Sequence, residues 1–387
     1  MKAPSSMTNR DGWKATKILA MSGETVAGEL PAEHQILTEA WNRVVAVPYL
    51  VYMPEKDRLL MLVGCDYPHR AEVLFSDDHG TTWTSPKPAI VEPDGTPVAA
   101  FGTSLCYLGE GSVLLYAGSR RFSRDYGRTW AESVPLAPTP DGKPWAIWDP
   151  PLVDRDAQTG KVARLAETGY AWFTPPEVET AYQQAYLRWS KDEGRTWSSA
   201  ATIPQWKAVS EVALLRAANG RLVAACRTDI PARLKGETLD HYEGLGISIS
   251  ADNGRTWSGV RTLYDYGRHH PSMVLMPGGD IVMTYVVRLG YPRDADGFPQ
   301  FGIEAVVSRD HGEHWDLRRR LILARWSGNR KGCENEWWPS SQATSTVLLP
   351  DGLLLTAYGT GYRSQPNAQG QSAPRDVGLV RWRPGPV

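Results

Sequence analysis

A single octet, Ser-x-Asp-x-Gly-x-x-Trp, occurs five times in this sequence and restricts the possible folds more than any other feature. Each copy follows a run typical of a β-strand, such as AEVLF or GISIS. Within the octet the Asp side chain can accept backbone N–H bonds and the Gly can take a positive φ, so the chain turns tightly. The Trp then folds back between strands, and we interpret the five Asp residues as turn residues, not as catalytic acids. The copies are Ser76–Trp83, Ser123–Trp130, Ser190–Trp197, Ser250–Trp257 and Ser308–Trp315.

A second repeat interleaves with the octets: an apolar strand, a turn and another apolar strand occur together six times. The two repeats predict an all-β protein, a six-bladed β-propeller with Asp-box repeats. Since one unit cannot bury its apolar faces alone, we predict a single domain over residues 1–387. A segment near the N-terminus, such as WKATKILAM at residues 13–21, is expected to supply the last strand of the sixth unit and close the ring. The turns carry Asp57, Gly111, Gly160, Gly220, Gly279 and Gly352.

The composition argues against several classes of protein. Lys+Arg (42) and Asp+Glu (43) nearly cancel, which argues against the basic field of a nucleic-acid binder. The sequence has no apolar run of membrane-spanning length and no apolar h-region near its N-terminus, so it predicts neither a membrane span nor an export signal, and hence a cytoplasmic protein. The 4 Cys have no metal-ligand spacing, and we expect neither a metal ion nor a cofactor.

The octets, together with the run SEVALLRAANGRLVAACR at residues 210–227, resemble the sialidase superfamily over roughly residues 40–383. In that family the corresponding run carries a Glu that activates a tyrosine nucleophile and an Arg of the triad that binds a carboxylate. The resemblance implies these roles for Glu211 and Arg227. Ala46-Val47-Pro48, however, stands where the family has Arg-Ile-Pro, and PSSQATST lacks the nucleophilic Tyr. Because three clustered guanidiniums hold the carboxylate of sialic acid, we predict a member of this superfamily that is not an authentic sialidase.

By the same resemblance, the start of each unit's first strand and the loop after its second strand lie at the face that bears the cleft. Asp149 and Glu211 interrupt otherwise apolar strands at the same position in their units, and His270 stands there in the fifth unit. We therefore predict Asp149, Glu211 and His270 as catalytic residues. Arg227 ends the strand paired with that of Glu211, and a structural salt bridge is the alternative interpretation of this pair. The predicted substrate-binding residues are Arg227, Trp148, His269, Arg268, Arg288, Glu167, Trp337, Tyr358 and Arg363.

Long loops at the same face are expected to complete the site, because binding sites are commonly built on loops held by a rigid scaffold. They are rich in Tyr, Pro, Gly and charged residues. Trp337 has two interpretations, a platform on which a sugar stacks or a buried wedge. The loops are residues 168–183, 228–244, 289–302 and 359–375.

Three functions are compatible with this interpretation, each with a glycan or oligosaccharide as partner. The first is an exo-acting glycoside hydrolase on an acidic or other glycan, in which Asp149 and Glu211 supply the acid and the nucleophile or base. Related propellers cleave arabinan or other glycans with two carboxylates. The second is a polysaccharide lyase, in which His269, His270 and a Tyr such as Tyr291 move protons while an Arg neutralises a uronate. The third is a carbohydrate-binding propeller without catalysis.

Overall fold

The computed structural model describes residues 12–234, 240–328, 343–363 and 373–385, and within these ranges the chain is all-β, as predicted. The described residues form 25 strands. Among them, no helix is long and apolar enough to cross a membrane. The helices of the described ranges are short 3-10 turns at Glu39–Trp41, Pro54–Lys56, Ala232–Leu234, Asp240–Tyr242 and Leu317–Arg319.

The strands belong to two compact units. Unit one takes in the described residues of Met1–Ile18, Leu30–Val134 and Asn329–Pro386, and unit two takes in those of Leu19–Glu29 and Pro135–Gly328. Each unit is built from antiparallel sheets in which consecutive strands are neighbours, which is the strand order of a propeller blade.

Unit one contains two four-stranded sheets and a ladder that joins the N-terminal and C-terminal parts of the chain. Its core includes Leu59, Met61, Leu355 and Leu379, all fully buried. The first sheet is β3 (Val45–Met53), β4 (Arg58–Cys65), β5 (Arg70–Ser76) and β6 (Lys87–Pro88). The second sheet is β7 (Gly102–Gly109), β8 (Ser112–Ala117), β9 (Arg120–Ser123) and β10 (Glu132–Val134). The ladder is β2 (Thr25–Ile36), β25 (Arg375–Trp382), β24 (Leu354–Tyr362) and β23 (Thr344–Leu348).

Unit two repeats this construction and carries most of the predicted site residues. Its apolar cores lie between successive sheets and include Leu187, Trp206, Cys226 and Tyr285. The first sheet is β11 (Leu152–Arg155), β12 (Val162–Phe173), β13 (Tyr182–Ser190) and β14 (Ala201–Lys207). The second sheet is β15 (Val209–Arg216), β16 (Leu222–Thr228), β17 (Gly244–Ser250) and β18 (Arg261–Tyr264). The third set of strands is β19 (Arg268–Leu275), β20 (Ile281–Val287), β21 (Gln300–Ser308) and β22 (Leu321–Ser327), followed in the sheet by β1 (Lys14–Ser22).

The described strands form four four-stranded sheets and one nine-stranded sheet, so they do not divide into the six separate blades predicted from the sequence. The order of the nine strands is β19-β20-β21-β22-β1-β2-β25-β24-β23. An N-terminal segment does pair with the C-terminal strand, but it is not residues 13–21, since β1 pairs with β22 at Leu19 and Ala20. It is β2, through Ala32–Ile36, that pairs with β25. The sequence prediction selected residues 13–21, which are richer in apolar side chains than Thr25–Ile36.

The octets are turns, as predicted. In the first copy, the backbone N–H and the hydroxyl of Thr82 donate to the Asp78 carboxylate at 2.8 and 2.7 Å, and the N–H of Gly80 donates to Ser76 Oγ at 2.8 Å. Gly80 has a φ of +85°, a conformation that L side chains rarely adopt. Trp83 is buried and donates from Nε1 to the Gly80 carbonyl at 3.1 Å. The same bond to the Asp carboxylate is made by the backbone N–H of Thr129, Thr196, Thr256 and His314.

Candidate active site

Two β-bulges in unit two set the directions of Glu211 and His270. The register of β15 against β16 shifts between Val209 and Val212, and that of β19 against β20 shifts between His269 and Ser272. A bulge bends its strand and re-aims a side chain that would otherwise alternate regularly. His270 has a φ of +52°, in the left-handed region, and is followed by proline, a combination that the surrounding structure must hold in place.

Glu211, Arg227 and His270 contact one another directly. Arg227 Nη1 lies 2.9 and 3.0 Å from the two carboxylate oxygens of Glu211. His270 Nδ1 lies 2.7 Å from Glu211 Oε2, and His270 Nε2 lies 3.0 Å from Arg227 Nη1. All three side chains are at most 10% exposed. The structure therefore brings together two predicted catalytic residues and one predicted substrate-binding residue.

The partners of His270 determine which of its ring nitrogens carries the proton. A guanidinium can only donate, and Nε2 faces the guanidiniums of Arg227 and Arg288, the second at 3.4 Å. Nε2 is therefore the acceptor, and Nδ1 donates to Glu211. Burial and the charge of Arg227 outweigh the attraction of Glu211 and lower the pKa of His270 to about 4. The imidazole is neutral near pH 7, with its lone pair on Nε2.

Arg227 is also held by two acids that the sequence interpretation did not single out. Its Nε donates to Glu243 and its Nη2 lies 3.3 Å from Asp240 Oδ2. Asp240 in turn accepts from Arg288 Nη1. Both acids come from the loop at residues 228–244, which the sequence marked only as long and charged. The motif DHYEG at its end was the available signal.

Asp149 lies near Glu211, and its pKa is shifted upward. Its carboxylate accepts a hydrogen bond from the backbone N–H of Val212, next to Glu211 in the chain. Loss of water around the carboxyl and the negative charge of Glu211 raise the pKa of Asp149 well above its ordinary value. The neighbouring Trp148 is half-buried, and its ring centre lies 6.4 Å from that of His270.

The carboxyl groups of the site differ in the direction in which their pKa values are shifted. Burial opposes the charge of Glu211, but Arg227 and His270 outweigh it and lower the pKa of Glu211 to about 2. Burial, aided by the charges of Glu211 and Asp240, raises the pKa of Glu243 to about 7 despite Arg227. Two carboxyls whose pKa values are driven apart, as for Asp149 and Glu211, suit acid and base roles in one reaction.

The raised pKa of Glu243 makes a prediction about stability. A carboxyl whose pKa is higher in the folded state gives stability that is complete below its ordinary pKa and is lost as the pH rises through the folded value. Between pH 4.5 and pH 7, Glu243 should thus destabilise the wild-type protein progressively. We expect Glu243→Gln to gain on the order of 1–3 kcal/mol relative to wild type across this window, measured by urea unfolding at several pH values.

The matched control is Glu313→Gln, an acid that is 44% exposed in an ion pair with Arg221. Its stability relative to wild type should vary little over the same window, because exposed pairs contribute little. A difference between Glu243→Gln and wild type that stays constant from pH 4.5 to pH 7 would contradict the assignment.

Of three other predicted residues of unit two, Arg268 and Glu167 lie in separate contacts, whereas His269 packs against His270. Arg268 donates from Nε to Glu304 at 3.0 Å and covers the ring of Tyr264, with 4.5 Å from its guanidinium carbon to the ring centre. Glu167 accepts two bonds from Arg188, at 2.8 and 2.6 Å. His269 is fully buried against the His270 ring, and its ring nitrogens have no hydrogen-bond partner within the described residues. The structure does not bring Arg268 or Glu167 to the carboxylates of Glu211 and Asp149.

The remaining predicted residues belong to other parts of the chain. In unit one, the hydroxyl of Tyr358 lies 2.6 Å from His34 Nε2, and Tyr358 is buried. Arg363, also in unit one, donates from Nε to Asp376 at 2.7 Å. Trp337 lies outside the described residues. Among the residues that the structure describes, no group of three or more His, Cys, Asp or Glu is placed to hold a metal ion.

Comparison with known proteins gives one family and a set of similar folds. Residues 3–283 match the family described as BNR repeat-like domain. No curated protein matches the sequence at a significant level. A protein of unknown function from Dyadobacter fermentans has a similar structure at a TM-score of 0.63 and 15% identity, with 96% of this chain and 99% of that chain covered.

Two sialidases are also among the similar structures. The NanB sialidase from Streptococcus pneumoniae has a TM-score of 0.59 at 12% identity, with 88% of this chain and 68% of that chain covered. The Trypanosoma rangeli sialidase has a TM-score of 0.54 at 14% identity, with 98% of this chain and 60% of that chain covered. At these identities the similarity concerns the fold alone.

Proposed function

Since this chain belongs to the BNR repeat-like family and has the propeller fold of the sialidase superfamily, we propose that it is a glycoside hydrolase that cleaves a glycan at the Glu211 cluster. One observation carries the proposal: two carboxyls with opposite pKa shifts lie in the same site. The pKa of Asp149 is raised, whereas Glu211 is ionised and holds the neutral imidazole of His270. The proposal includes exo-action on an acidic sugar, since Arg227 and Arg288 place two guanidiniums at His270 Nε2.

The proposal gives each residue a chemical role. Asp149 donates its proton to the glycosidic oxygen as the bond to the anomeric carbon breaks. His270 Nε2, once it exchanges its hydrogen bond from Arg227 for one from water, takes a proton from that water as the water oxygen bonds to that carbon. Glu211, which is covered by Arg227 and His270, fixes the tautomer of the imidazole and stabilises the imidazolium that forms. This division differs from the sequence-based pair, in which Glu211 acts on the substrate itself.

The six-unit pattern extends the proposal to the architecture. We propose that the chain is one domain, a six-bladed propeller, in which two blades lie within the nine-stranded sheet. The support is the six strand–turn–strand units of the sequence and the pairing of β2 with β25.

A second candidate is a polysaccharide lyase, favoured by the position of His270 Nε2 between two arginines. In that reaction Nε2 removes the proton next to the carboxylate of a uronate, and the arginines stabilise the negative charge that develops. Asp149 then protonates the leaving oxygen as the C–O bond breaks and a C=C bond forms. The product is unsaturated and absorbs in the ultraviolet.

The test is a screen of the wild-type protein against sialosides, uronides and arabinosides, with Asp149→Asn as the background control. Release of a saturated sugar, with the anomer inverted when first formed, is the expected result, because water is activated directly by His270. An unsaturated product would establish the lyase instead. Binding of a glycan with no cleavage of any substrate would overturn the enzymatic proposal and favour a carbohydrate-binding propeller.

A further inference from the structure

An aromatic pair stands at the end of β12 without a role in the chemistry above. Trp172 is 52% exposed, whereas Tyr170, two residues earlier, is only 4% exposed. Their rings meet edge to face with 4.8 Å between centres. Single exposed apolar side chains are ordinary on protein surfaces, so the exposure of Trp172 carries weight only together with its neighbours.

The first connection to the active site runs through β12 and β15. Thr168 Oγ1 donates to the Val212 carbonyl at 2.7 Å, which directs this face of β12 toward the strand that carries Glu211. Alternate residues of a strand share a face, so Tyr170 and Trp172 follow Thr168 on the same side. Burial and, after it, the charge of Glu211 raise the pKa of Tyr170, which agrees with a position beside the Glu211 carboxylate.

The second connection runs through Gln183. Gln183 lies directly opposite Trp172 in the β12–β13 ladder, and residues opposite each other project from the same face. The Gln183 amide donates to Asp229 Oδ1 at 2.8 Å and to Glu243 Oε1 at 3.3 Å. Glu243 accepts from Arg227, the ion-pair partner of Glu211. Trp172 therefore lies on the same face as two residues that bond toward the cluster: Thr168, which donates to the strand of Glu211, and Gln183, which donates to Glu243.

We propose that Tyr170 and Trp172 form a second sugar subsite adjoining the Glu211 cluster. The exposed face of the indole stacks against the apolar face of the sugar ring next to the one held at Arg227, and the Tyr170 ring fixes the angle of the indole. Flat aromatic rings with one polar edge suit such half-wet contacts. This inference rests on the proposed function and adds a substrate class to it: an oligosaccharide of two or more rings.

The experiment compares binding of a trisaccharide and a monosaccharide, namely trigalacturonate and galacturonate, with 3′-sialyllactose and N-acetylneuraminate as a second pair. Titration calorimetry is run on Trp172→Ala in the Asp149→Asn background, which prevents cleavage. We expect Trp172→Ala to weaken binding of the trisaccharide about tenfold more than that of its monosaccharide, and Trp172→Phe to restore most of the loss.

Leu275→Ala is the matched control. Leu275 is 36% exposed and ends β19, at the far end of that strand from His270, so its removal should change neither affinity. Equal losses for trisaccharide and monosaccharide, or no loss for the trisaccharide, would overturn the subsite. If the wild type cleaves a substrate but either of these results is obtained, only the subsite is refuted and the proposed hydrolase activity stands. If the protein neither binds nor cleaves any of these sugars, the subsite and the proposed activity are both refuted.

Discussion

Replacing Asp149 by Asn is expected to lower kcat by about 10²–10⁴-fold while the fold is retained. The reason is that the amide of Asn keeps an acceptor oxygen for the Val212 N–H but has no acidic proton to give. Because the pKa of Asp149 is raised well above its ordinary value, the wild-type acid stays protonated at pH values where an ordinary Asp is ionised. The loss is measured from initial rates on the substrate identified by the screen.

The pH profile separates this chemical role from a structural one. In wild type, the alkaline limb of kcat/KM should follow ionisation of Asp149, and the acid limb should follow protonation of His270, whose pKa is about 4. The Asn variant should lose the alkaline limb and keep the acid limb. Asp156→Asn, at an exposed turn after β11, is the matched control and should retain wild-type kcat. Wild-type turnover in Asp149→Asn would end the assignment of this residue as the acid.

The gathering of Glu211, Arg227 and His270 was predictable because the turns of the repeats fix the register of each hairpin. Once the turns are aligned, residues at equivalent strand starts must lie at the same end of their sheets, whatever the loops do. Arg288 follows in the same way, since it directly follows β20, the strand paired with that of His270. The all-β class and the structural role of the octets rest on the same repeats.

The direction of individual side chains was less predictable. Successive residues of a strand point to opposite faces, so a prediction displaced by one position selects the wrong face. Glu167 pairs with Arg188, while its neighbour Thr168 contacts the strand of Glu211. The bulges add a second difficulty: β3 has the same register shift around Val47, with a φ of +49°, where no polar side chain is present. The bulge is therefore a structural feature shared by several strands. Whether a bulge contributes to a reactive site depends on whether the residue placed there is polar, as Glu211 and His270 are.

Acids from loops could not be placed by the repeat at all. Asp240 and Glu243 belong to a loop outside the repeated strands and turns, so alignment of the repeats does not give their position. The contacts of the buried carboxylates also determine how much each one contributes to the free energy of unfolding. In Glu211→Gln, a carboxylate that is buried against Arg227 and His270 is lost. Removal of such a partner is expected to cost about 1–3 kcal/mol.

Arg227→Met is expected to have the largest effect on stability, a loss of about 3–5 kcal/mol near pH 7. The guanidinium is the common partner of Glu211, Glu243 and Asp240, and methionine fills much of its volume without its charge. Glu211 and Glu243 would then face each other in a buried site, and their pKa values would rise, while Asp240 keeps its pair with Arg288. Urea unfolding of the variant and wild type at a series of pH values measures the difference.

The pH dependence provides the stronger test, because the contribution of Glu211 to stability has opposite signs in wild type and in the variant. In wild type the lowered pKa of Glu211 gives stability that is present above pH 4.5 and is lost as the pH falls through about 2. In Arg227→Met the carboxyls have raised pKa values, so the variant should gain stability on mild acidification, which protonates them.

If the variant is unfolded at pH 7, it should fold on lowering the pH toward 5. Arg227→Lys, which keeps the charge but loses the fork of donors, should have intermediate stability. Arg221→Met, at the exposed pair with Glu313, should cost less than about 1 kcal/mol at any pH. A loss for Arg227→Met that is equally large at every pH would show that packing, and not charge, is what Arg227 supplies.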